Sequence, residues 1–184
     1  MANKALLISP AQIIAESYVD ENVDEKHIID GILLCQEMYT KEILGTALYD
    51  DVMSEVLAQS LTADNTTLRD DYIRHALKWW VLYEIMDVLS IKMTNKGVLK
   101  RRSENSDPAT ADEILALKNK FRNIAERFDQ KTRLFLVENN ATYPLYYNPG
   151  NGADTIHPKG LTYGTGWFLG SSKKGLCDGL DRDG

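Results

Sequence analysis

Residues 68–90 read LRDDYIRHALKWWVLYEIMDVLS, and their spacing decides the fold. Leu68, Tyr72, Ala76, Trp79, Tyr83 and Met86 recur three or four apart, the period of one helix face. Leu77, Trp80, Leu82 and Ile85 fill other sides of the same helix. A helix apolar on most sides is buried in several directions. This leaves two placements: the centre of the chain's own bundle, or a face shared with a neighbouring subunit. A membrane span is not among them, because Lys78, Glu84, Asp87 and Lys92 interrupt the apolar run.

Working toward the N-terminus, TADNTT reads as a loop, with Thr66 or Thr67 capping the central helix. Before it, Leu48, Val52 and Val56 mark one helix face. Ile28, Ile32, Cys35, Tyr39 and Ile43 mark another, opened by Asp24 and stopped at Gly45. Ser9 and Pro10 fit the N-cap and first position of a short leading helix. The opening MANKALLISPAQ has one lysine and a brief apolar run, too short for a secretory signal. Working toward the C-terminus, TNKGVLKRRSENSDP reads as a loop. Thr110 and Glu113 then fit a capping box for the longest helix. Its seam is expected at Ile114, Leu117, Phe121, Ile124, Phe128 and Phe135. No strand pattern competes. The sequence predicts an all-α fold: a bundle of four principal helices plus a short N-terminal helix, over residues 1–142.

Residues 143–184 differ in kind. Nine of the twelve glycines and three of the five prolines fall in the last 45 residues. Tyr143, Tyr146 and Tyr147 beside Pro144 are expected to pin the start of this segment to the bundle. Beyond Pro149 an extended arm is expected, ordering only against a partner. Within GLTYGTGWFLG, Tyr163, Trp167, Phe168 and Leu169 are its candidate anchors.

Chemistry-bearing motifs are weak throughout. GTGWFLG has the wrong spacing and context for a dinucleotide loop. DGLDRDG lacks the later ligands of a calcium loop. His27, His75 and His157 are scattered, and Cys35 and Cys177 form no CxxC. A buried thiol is the reading of Cys35. No catalytic residue, metal ligand or cofactor is assigned. The formal charge is −6, all of it in the first 139 residues, which argues against a dedicated nucleic-acid binder. One basic knot stands out: Lys96, Lys100, Arg101 and Arg102, in the loop between the last two long helices. It reads either as a solvated loop or as a contact for phosphate or an acidic partner.

YVDENVDEKHIIDGILLCQEMYTKEILGTALYDDV, then LRDDYIRHALKWWVLYEIM, and above all ILGTALYD and the TNKGV…SENS stretch resemble the head–tail connector (adaptor) proteins of tailed phages. They are similar to the versions in phages of Bacteroidetes, including crAss-like phages, over roughly residues 8–147. The resemblance implies a ring of about twelve copies beneath the portal, around the DNA channel. It implies the portal protein and a tail or second connector protein as partners, with genomic DNA passing without sequence-specific binding. The place implied is the neck of the virion, after synthesis in the host cytoplasm, with no membrane. An acidic body suits such a channel, since fixed negative charge repels phosphate. The competing expectation is a helical DNA-binding regulatory protein, motivated by the Lys100–Arg102 knot beside a helix start.

Overall fold

The computed structural model describes residues 5–20, 22–94, 97–100, 110–150 and 152–158, with backbone alone at 90–94 and 97–100. The architecture is all-α. Helix α1 (Pro10–Ala15) opens with a capping box: Gln12 N–H donates to Ser9 Oγ, and Ser9 N–H to Gln12 Oε1. Helix α2 (Glu25–Cys35) is capped by Asp24, which accepts from the Lys26 amide. It runs through a π-helical turn (Gln36–Thr40) into α3 (Lys41–Leu44). Gly45 then turns the chain at φ +77°, a backbone that L side chains rarely adopt, and α4 (Thr46–Leu57) begins at once.

Helix α5 (Ala63–Thr67), a second π-helical turn (Leu68–Ile73) and α6 (Arg74–Ser90) form one continuous rod. It starts earlier than the sequence suggests. Thr62 is the cap, its hydroxyl accepting from Asn65 N–H at 3.3 Å. Thr66 and Thr67 instead bond back to the carbonyls of Thr62 and Ala63. Glu55 holds Thr62 in place, taking its backbone N–H at 3.0 Å, while Asn65 Nδ2 donates to Glu55 and Asp51. Two short antiparallel strands succeed α6: β1 (Ile91–Thr94) and β2 (Gly97–Lys100), with Ile91 opposite Lys100 and Thr94 opposite Gly97. Helix α7 (Ala111–Glu138) carries the expected Thr110–Glu113 capping box, and α8 (Pro144–Tyr147) closes the bundle.

The rod containing α6 is the axis, with α2 on one side and α7 on another. Leu77, Trp80, Val81, Leu82 and Ile85 are buried there against Ile28, Ile32, Leu48 and Phe121. Much of the apolar surface of α6 is thus spent inside the chain, while Val88 stays exposed and Trp79, Tyr83 and Met86 are half-buried. Close approach is part of the design. A Cβ at Gly31 would lie 2.6 Å from Ile85 Cγ2, so glycine lets α2 sit against α6.

The π turns displace the expected stripes. One extra residue per turn rotates the helix beyond it, so the buried series runs Cys35, Thr40, Leu44 and Leu68, Ile73, Leu77. Tyr39 and Tyr72, expected on those faces, are only half-buried. On α7 the buried residues are Phe121, Ala125, Asp129, Thr132 and Leu136. Leu117, expected in the seam, is exposed.

Candidate functional site

The basic knot was expected in a loop. The structure instead carries α6 into the β1–β2 hairpin and ends β2 at Lys100. Strand propensity explains the difference: Ile91, Thr94 and Val98 are β-branched, and only two positions of sequence separate the strands. Lys96, Arg101 and Arg102 lie outside the described residues, as do Tyr163, Trp167, Phe168 and Leu169.

The chain leading to the arm is described. Tyr143 and Tyr146 are buried as expected, and Tyr143 OH donates to the Asp64 carbonyl at 2.7 Å. Tyr147, expected beside them, is half exposed. Beyond Pro149 the chain does not leave the bundle at once. Ile156 N–H donates to Thr46 Oγ1 at 2.8 Å, and Thr46 N–H donates to the Ile156 carbonyl at 3.0 Å. The Pro158 ring sits over Gly45, 2.7 Å from where a Cβ would stand. Residues 152–158 are therefore fastened to the α3–α4 corner, and Gly45 serves both the turn and the docking. That second role was not legible, because its partner lies 113 positions downstream.

Three buried polar residues also went unrecognised in the sequence. Gln36 clips the N-terminal segment, accepting from Leu7 N–H at 2.8 Å and donating to the Ala5 carbonyl at 3.1 Å. Arg74 adds a bond to the Leu7 carbonyl. Asn65 makes the carboxylate contacts given above. Asp129 is the third. Trp80 Nε1–H donates to its Oδ2 at 3.0 Å, while Tyr39 stacks on Trp80 with ring centres 3.9 Å apart. Tyr39 OH in turn donates to Glu84 at 2.5 Å. Burial pushes the Asp129 carboxyl up to about 7, opposed by the Trp80 hydrogen bond and the Arg133 charge. Its Oδ1 has no hydrogen-bond partner among the described residues, nor has Arg133 Nε. A cavity of about 10 Å³, close to one water molecule, lies between Asp129, Thr132, Thr40, Ile73 and Trp80. The available signal was positional: Phe121, Ala125 and Asp129 stand at intervals of four.

Cys35 is buried, and burial pushes its thiol up, which keeps it protonated and unreactive. His75 stacks on Phe128 at 5.4 Å. Among the described residues no group of three His, Cys, Asp or Glu is placed to hold a metal ion. Among them, too, no helix is long and apolar enough to cross a membrane.

The outer face of α7 is a further charged feature of the described residues. Asn119, Lys120, Asn123, Arg127, Gln130 and Lys131 are all exposed. A shallow depression of about 450 Å³ lies along it, lined by Ala116, Asn119, Lys120, Asn123, Ile124 and Arg127.

Fold and surface together define a helical-bundle protein with a fastened C-terminal strap. The chain belongs to a family of unknown function (DUF6712), which it matches over residues 40–156, well over half its length. That match starts inside the first π turn and ends in the strap, so it takes in both sides of the Gly45 corner. No curated protein and no solved structure matches the chain.

Proposed function

We propose that this chain is a structural subunit of a phage head–tail connector: a ring beneath the portal that passes DNA and carries the next tail component. The observation that carries the reading is the strap. Two hydrogen bonds fasten Ile156 to Thr46, and Pro158 packs on Gly45. The glycine- and aromatic-rich residues 159–184 follow in sequence directly on Pro158, which is held at the α3–α4 corner. That layout suits a protein whose work is attachment: a stable body, plus aromatic anchors delivered at a defined place. In this reading Tyr163, Trp167, Phe168 and Leu169 dock on the portal, the tail partner or a neighbouring subunit. The resemblance over residues 8–147 supplies the connector assignment, the virion location and the copy number of about twelve.

The test is assembly. Full-length chain, alone and mixed with a portal protein from the same genome, is examined by native mass spectrometry and negative-stain imaging. A closed ring with a central channel, free or seated on the portal, is expected. A chain that stays monomeric and never associates with portal overturns the reading. Tight, sequence-selective binding to short duplex DNA would replace it with the regulatory one.

A further inference from the structure

We propose that the outer face of α7 is a contact surface for the sugar–phosphate backbone of duplex DNA. The residues are Asn119, Lys120, Asn123, Arg127, Gln130 and Lys131. At a helical period they fall within one half of the α7 circumference, opposite the buried stripe of Phe121, Ala125, Thr132 and Leu136.

Charge is distributed unevenly over this protein. Most described cations away from this face are neutralised: Lys41 by Glu37, Arg69 and Arg74 by Asp70, Lys78 by Glu16, Lys118 by Asp87. On α7 itself, Glu126 is engaged by Arg122 at 3.1 Å and Asp129 is turned into the core, while the exposed Asp112, Glu113 and Glu138 lie beyond the two ends of the row. Lys120 and Arg127 have no ion pair among the described residues. Lys131 lies over the Tyr72 ring at 5.1 Å, which leaves its charge uncancelled. Among the described residues, this chain of net charge −6 thus keeps a straight cationic stripe on α7. The acidic total and the basic stripe concern different surfaces.

The chemistry of the stripe selects the partner. Cationic and amide groups alternate along about 18 Å of helix, at 1.5 Å per residue. Such a row of donors fits a uniform line of phosphate oxygens, which positions a protein without reading bases. An acidic protein partner would call for an apolar centre within the polar rim. Here Ile124, at the edge of the depression, is the only large apolar side chain lining it, and the exposed Leu134 and Val137 lie beyond Lys131, past the C-terminal end of the row. Three cations neutralise about three phosphates per chain, which predicts weak, sequence-independent binding with a log–log salt slope of about −2.7. The inference rests on the connector reading for the presence of DNA and for repetition around a ring. There, weak contacts would hold DNA centred and leave it free to slide.

The test uses full-length protein and two unrelated fluorescent duplexes of about 30 base pairs, titrated at about 50 and about 200 mM salt. Wild type is compared with the triple variant Lys120→Glu, Arg127→Glu, Lys131→Glu and with Lys100→Glu, Arg101→Glu, Arg102→Glu. A Gln triple at the α7 positions covers any folding defect of the Glu triple, and thermal melting checks each protein. The α7 variant is expected to lose at least tenfold in affinity for both duplexes and most of the salt slope, while the hairpin-side variant keeps both. An unchanged α7 variant overturns the proposal. So does loss confined to the Lys100–Arg102 variant, binding to one duplex only, or capture of polyglutamate in preference to DNA. Native mass spectrometry on the same samples separates the two readings. A ring whose DNA affinity ignores α7 defeats this proposal alone; a monomer whose affinity depends on α7 defeats the connector reading alone.

Discussion

Helices α6 and α7 pack against each other and obey different rules. In the 17 residues of α6, Ala76, Leu77, Lys78, Trp80, Val81, Leu82 and Ile85 are all buried. The 28 residues of α7 bury five, and two of those are Asp129 and Thr132. The first helix is an axis with neighbours on several sides. The second is a cover with one face inward and one face outward. Burial on several sides asks little of a sequence beyond apolar bulk. Burial on one side asks for the right stripe, and α7 fills part of its stripe with polar groups that must find partners inside.

The sharpest way to break this contrast is to hollow the axis. Leu77 is fully buried, so Leu77→Ala removes most of a side chain from a site closed on all sides. The expected loss is about 3 kcal/mol of folding stability, transfer and cavity costs together. Urea denaturation monitored by far-ultraviolet circular dichroism measures it. A loss under about 1 kcal/mol would mean that the site collapses easily and that α6 is not the axis.

Asp129 sharpens the contrast from the other side. Its folded carboxyl titrates at about 7, pushed up chiefly by burial, against about 3.9 in an unfolded chain. A raised carboxyl favours the protonated fold. Its stabilising contribution is full below about pH 4 and is gone once the pH has passed about 7. Asp129→Asn keeps an oxygen for Trp80 and removes the charge. The variant is expected to gain about 1–2 kcal/mol over wild type at pH 8 and almost nothing at pH 4. Denaturation midpoints across that range read it directly. Equal midpoints at pH 8, or a gain at pH 4 that fades as the pH rises, would show that Arg133 and Trp80 already hold the carboxylate comfortably.

The same contrast explains what could be read beforehand. The axis was legible because its apolar density survives any error in phase. Caps were legible at Ser9, Asp24 and Thr110, because each is a short local pattern. Gly45 was legible as a stop. Phase was not: the π turns at Gln36–Thr40 and Leu68–Ile73 insert a residue without changing composition, so Tyr39 and Tyr72 yield their places to Thr40 and Ile73. The α7 stripe was misplaced because Asp129 looks like a surface residue until Trp80 reaches it. The hairpin was missed because four-residue strands fall below what alternation can resolve, and Gly97 and the lysines read as loop. The strap was hidden for another reason: its contacts join residues 46 and 156, and no local pattern records a partner that far away.

The smallest expected effect tests the outward face of α7. Asn123 is exposed there, away from the buried Ala125, with no hydrogen bond among the described residues. Alanine is the better helix former, so Asn123→Ala should leave the isolated chain unchanged or stabilise it by about 0.5 kcal/mol. This near-silence is informative because position 129, six residues on and on the other side of the helix, responds to a far smaller chemical change. Repeating the Asn123→Ala measurement over a hundredfold range of protein concentration extends the comparison. A deficit relative to wild type that appears only at high concentration would place Asn123 in a contact between copies, and the outer face of α7 would then belong to the ring rather than to DNA. Stability that stays flat keeps the face open to solvent, the state that a phosphate backbone requires.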